Sequence, residues 1–97
     1  MDVICINGKF EPEQVRMYRE HGVVTPEQDK LYTIRKHKRH SNGQVGLWLE
    51  ELVNPPVPQG VMGIEAMMEP SWNINRFATL AGQPIKVKEL ELVDTLE

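Results

Sequence analysis

Cysteine is nearly missing from this chain, with one in 97 residues, which excludes an intramolecular disulfide framework. That residue, Cys5, lies in the apolar run Val3-Ile4-Cys5-Ile6 and reads as a small buried hydrophobe. No histidine or helix start is placed to activate it. The same run, following Met1-Asp2, is too short for a signal-peptide core or a membrane span. A cytoplasmic protein without membrane association is therefore the expectation. No sign of charge dominates, and a net charge of −3 argues against a surface built wholly for nucleic acid or anionic lipid. Glycine-rich phosphate loops, nucleophile–histidine spacings, internal repeats and low-complexity tracts are also missing.

What is present fits a globular domain, with 40% apolar and 26% charged residues. The length makes it one domain, 1–97, large enough to bury a core without a metal. Charge is unevenly spread along it. Residues 30–40 hold five Lys or Arg and no acid, whereas 50–69 is acidic without a base.

Residues 31–52 carry the clearest local pattern: a basic strand, the turn Ser41-Asn42-Gly43, then the run Val45-Gly46-Leu47-Trp48-Leu49. Asn-Gly between strand-like runs predicts a β-hairpin. A two-residue turn would set Ile34 against Glu51, so a four-residue loop (40–43) with Gly43 left-handed is preferred. That register pairs Arg39 with Gln44, Ile34 with Leu49, and Arg35 with Trp48, close enough for guanidinium stacking.

Elsewhere, residues 3–6 read as a first strand ended by Asn7-Gly8. A long first connection (about 8–29) follows, with a short helix from Pro12 towards Gly22 or, alternatively, an irregular loop. The proline-rich 54–60 predicts a stiff extended link that no central strand contains. Residues 61–68 offer a strand bent at Gly63. Residues 73–80 look like a helical turn with Ile74, Phe77 and Leu80 inward. Residues 85–93 alternate as a last strand, with a C-terminal tail from about 89 to 97. The fold expected is all-β: a small five-stranded, partly open antiparallel barrel with a short helical turn before the last strand. Its interior would collect Ile4, Tyr32, Ile34, Leu47, Leu49 and Phe77.

Tyr32-Thr33-Ile34-Arg35, Asn42-Gly43, Gly46 to Leu52, Asn54-Pro55, Glu69-Pro70 and Arg76-Phe77 resemble a group of small uncharacterised proteins. These are encoded by gut-dwelling anaerobes and their phages, and are built as Src-homology-3-type β-barrels. The resemblance covers roughly two-thirds of the chain by this segment-level reading. Trp48 departs from the aliphatic residue expected in its run, and residues 12–21 match nothing in the pattern. What the resemblance implies is an adaptor or accessory barrel, with no catalytic residues to carry over.

Two surfaces compete for a role. Tyr18, Tyr32, Trp72 and Phe77 are aromatics of the kind that line peptide grooves on small barrels, with Glu65 and Glu69 adding acidic specificity. Against this, Tyr32 and Phe77 suit a core, and Trp72 a lid over one barrel end. The basic ribbon Arg35, Lys36, Lys38 and Arg39, with Trp48 alongside, suits a phosphate backbone and a stacked base. Against that, lysines guard strand edges from pairing. His37 and His40 fall on opposite faces and His21 is distant, so no metal site is expected. Glu50 and Glu51 diverge as strand neighbours, which leaves no acid–base pair. Met62, Met67 and Met68 read as core filling. The reading is a non-enzymatic binding or accessory module without cofactors, its partner a protein or peptide. The alternative is a nucleic-acid-binding accessory protein, and exposed sheet edges allow a homo-oligomer.

Overall fold

The computed structural model describes residues 1–61 and 64–90, with side chains for all of these except 59–61 and 64–66. Strands β1 (Asp2–Cys5), β2 (Leu31–Arg39), β3 (Val45–Leu49), β6 (Trp72–Asn73) and β7 (Phe77–Thr79) form one antiparallel sheet in the order β6-β3-β2-β1-β7. Strands β4 (Val57–Val61) and β5 (Ile64–Met68) pair only with each other. The protein is thus mostly β with a five-stranded antiparallel sheet, but the sheet does not close into a barrel. No helix among the described residues is long and apolar enough to cross a membrane.

The excursion after β1 is helical where the sequence left two options. Helix α1 (Pro12–Glu20) has Pro12 in its first turn, and Gln14 Oε1 accepts from the Glu11 N–H at 3.1 Å. It ends at Gly22, whose φ of +71° suits a residue without Cβ.

The β2–β3 hairpin departs from its expected register at the tip. Arg39 opposes Val45 and Lys36 opposes Trp48, yet Ile34 still opposes Leu49. A bulge at Arg35 absorbs the extra residue. The turn is one residue tighter than expected, with the His40 N–H donating to Gln44 O at 2.7 Å and Gly43 at φ +85°. Arg35 therefore does not face Trp48.

Three further expectations are corrected. Residues 57–61 form a strand despite Pro58, which is tolerated because β4 pairs on one side only. Residues 61–68 divide between two strands, and the bend expected at Gly63 lies outside the described residues. Among the described residues the last strand is β7, immediately after the 3-10 turn Ile74–Arg76. Pro84 only bridges to Ala78, and residues 87–90 are helical rather than extended. The expected strand end at 91–93 and the tail to 97 lie outside the described residues.

The core gathers Val3, Cys5, Tyr32, Ile34, Leu47, Leu49, Trp72 and Phe77, with Val23, Val57 and Leu90 closing it. Ile4 is not among them. Strand alternation turns Val3 and Cys5 inward and leaves Ile4 on the opposite face, half-buried. Burial also pushes the Cys5 thiol above its ordinary pKa, with weaker opposing effects from an Asn7 backbone hydrogen bond and Arg76. Leu80 and Met67, expected inside, are exposed, Met67 at 64%.

Candidate functional site

The expected partner-binding aromatics Trp72 and Tyr18 are brought together, with Trp72 buried and Tyr18 half-buried over it. Trp72 is 2% exposed and meets Tyr18 and Phe10 in mutual edge-on contacts, with centroids 5.5 to 5.7 Å apart. The Arg76 guanidinium covers the other side of Phe10 at 3.9 Å, and its Nη1 donates to Asn7 O and Lys9 O. The cluster clamps α1 to the sheet edge; burial raises the Tyr18 pKa, slightly offset by Arg76. Glu65 lies in β5 opposite Gly60, and its side chain is outside the described set.

Glu69 is a structural node. Its Oε2 accepts from Arg35 Nη2 at 2.7 Å and from the Asn54 N–H at 3.0 Å, while its backbone oxygen accepts from the Trp48 indole N–H at 3.2 Å. Arg35 also donates from Nε to Leu49 O. Arg35 and Glu69 side chains are only 28% and 18% exposed. Both charges are therefore spent on holding the chain together.

The basic ribbon divides in the same way. Trp48 is 7% exposed, with Lys36 Nζ over its ring at 4.7 Å, so its face is not open to a base. Lys38 and Arg39 are exposed, and no carboxylate among the described residues pairs with them.

What sequence reasoning missed is a track running around the β6 edge of the sheet. One depression, about 230 Å³, lies between Met17 and Tyr18 of α1, Pro58 of β4, and Pro70. His40 and Ser71 form its floor and are shared with a second, about 170 Å³. Gln44, Val45 and Asn73 lead from there into a third, about 310 Å³, bordered by Arg39, Ile85 and Val87.

His40 and Ser71 can sit side by side against β3 because Gly46 has no side chain. Ser71 Oγ and His40 Nε2 lie 3.4 Å apart directly over it. A Cβ there would run into Ser71 Oγ and come 2.7 Å from His40 Nε2. Gly46 interrupting an apolar strand was the one available signal, since glycine inside a strand marks a close approach. Among the described residues no three His, Cys, Asp or Glu side chains converge as metal ligands. No protein-family model, curated protein or solved structure matches this chain.

Proposed function

We propose that this chain is a non-enzymatic binding module that holds an extended segment of a partner protein in the track. The observation that carries this reading is the lining: apolar walls from Met17, Tyr18, Pro58 and Pro70 above a polar floor of His40 and Ser71. Elongated grooves walled by aromatic, Met and Pro side chains suit extended peptides, with a few polar groups to fix register. The architecture is an opened Src-homology-3-type barrel in this proposal. Its support is the pairing of β7 with β1 and the 3-10 turn just before β7.

Selection from a random-peptide display library on the full chain tests the reading. Sequences enriched on the native protein are expected to lose binding to Met17→Glu, which charges one wall without touching the core. Equal retention by that variant would place the binding surface elsewhere and overturn the proposal.

A second reading, nucleic acid on the hairpin, keeps one supporting observation: Lys38 and Arg39 are exposed and unpaired among the described residues. It lacks a stacking surface, because Trp48 is covered. Lys38→Glu with Arg39→Glu would abolish binding of an oligothymidylate strand if this reading holds, and native affinity would fall steeply with salt.

A further inference from the structure

We infer that the segment seated in the track is acidic, its carboxylates and peptide carbonyls meeting Arg39 and the amide donors of Asn73 and Gln44. This rests on the peptide reading above and names the chemistry of the occupant. The first observation is charge. Acids outnumber bases in the chain, 14 to 11, yet among the described residues the three depressions are lined by one cation, Arg39, and no carboxylate.

The second observation is independent and concerns the amide side chains. Asn73 Oδ1 accepts from the Asn75 N–H at 2.8 Å, capping the 3-10 turn, so its Nδ2 is left for a ligand. Asn42 Oδ1 is likewise fixed by the Gln44 N–H at 3.0 Å, which orients Asn42 Nδ2 towards Gln44 Oε1 at 3.3 Å. That leaves Gln44 Nε2 as a donor. Of the three amides lining the track, Gln44 and Asn73 thus engage their acceptor oxygens within the protein, and the third, Asn75, is exposed. With the Arg39 guanidinium beside them, the wall matches oxygen-rich anionic groups and disfavours lysine-rich ones.

Nucleic acid is also anionic, but the observations favour a peptide. One end of the track is walled by Met17, Pro58 and Pro70, and no indole face is open to a base, Trp48 and Trp72 both being buried.

The test uses two variants that invert the outward groups while keeping the inward bonds: Asn73→Asp and Gln44→Glu. Each retains an oxygen for its internal donor and turns the outward –NH₂ into a carboxylate oxygen. Peptides selected on the native chain are expected to be rich in Asp and Glu. They should bind the double variant at least roughly tenfold more weakly, while selection on that variant should shift towards Lys and Arg. Enriched peptides that are neutral, equally bound by the double variant and lost with Met17→Glu, would overturn the acidic assignment and leave the peptide reading standing. Failure of any peptide to depend on Met17 would overturn both. Displacement of the selected peptides by oligothymidylate at lower concentration than by their own unlabelled form would transfer the track to nucleic acid.

Discussion

Trp72 and Trp48 occupy opposite faces of one sheet and are buried to nearly the same extent, 2% and 7% exposed, by different means. Trp72 stands across from Leu47 and is enclosed by Phe10, Tyr18 and the apolar core. Trp48 stands across from Lys36 and is enclosed by a cation, a backbone acceptor and the Arg35–Glu69 pair. The pairing teaches that burial alone does not define a core. One indole is held by area removed from water, the other by polar groups that must be satisfied in concert.

Truncating the apolar side should be the most damaging change. Trp72→Ala is expected to cost about 3–5 kcal/mol, a large share of the roughly 5–15 kcal/mol typical of a domain. Urea unfolding measures it; a loss below about 1 kcal/mol would mean that Phe10 and Tyr18 do not depend on the indole. Removing Arg35 should cost less, about 1–3 kcal/mol for Arg35→Ala, because Glu69 keeps Asn54 as a partner but loses its counter-charge. Arg35→Met combined with Glu69→Gln should recover part of that loss, and strict additivity would argue against coupling. Lys36→Ala should cost about 0.5–1 kcal/mol and shift Trp48 emission to the red as its ring gains solvent.

The smallest effect concerns Glu51. Partial burial pushes its carboxyl up, but Thr33 outweighs this. The Thr33 N–H donates to both carboxylate oxygens at 2.8 and 3.1 Å, and the net pKa is lowered. A depressed folded pKa stabilises above the unfolded value and is lost as pH falls through the folded one. Glu51→Gln should therefore flatten the acid limb of the stability profile below about pH 4.3 and leave stability near neutrality only slightly lower. An unchanged acid limb would remove Glu51 from the account.

The hairpin shows how far local pattern reaches. Its existence, its Gly43 turn and the Ile34–Leu49 pair are legible in alternation and turn chemistry. The bulge is not, because its residue is drawn out by Glu69, 34 positions away. Trp72 follows Pro-Ser in a turn, and its local pattern fits a groove and a lid equally well. Its cover comes from Phe10 and Tyr18, delivered by an excursion that no strand pattern describes. Residues 85–88 alternate apolar and polar, yet Pro84 meets Ala78 and residues 87–90 are helical. The track was illegible for a related reason: His40 and Gly46 of the hairpin have meaning only together with Ser71, which lies 25 residues beyond Gly46 in the chain.

The first connection closes on itself at its base. The Gly8 N–H donates to Gln28 Oε1 at 3.0 Å, Gln28 Nε2 donates to Ile6 O at 2.9 Å, and the Asp29 N–H donates to Cys5 O at 2.7 Å. A stretch pinned at its neck and docked on the core through Phe10, Tyr18 and Val23 has fixed anchor points and leaves only its exposed turns free to vary. Lengthening it costs only about 0.6 kcal/mol per doubling, and a protease nick between α1 and the neck should yield two pieces that still travel as one folded particle. New recognition sequence is best grafted there, provided an aromatic is kept in the place of Tyr18.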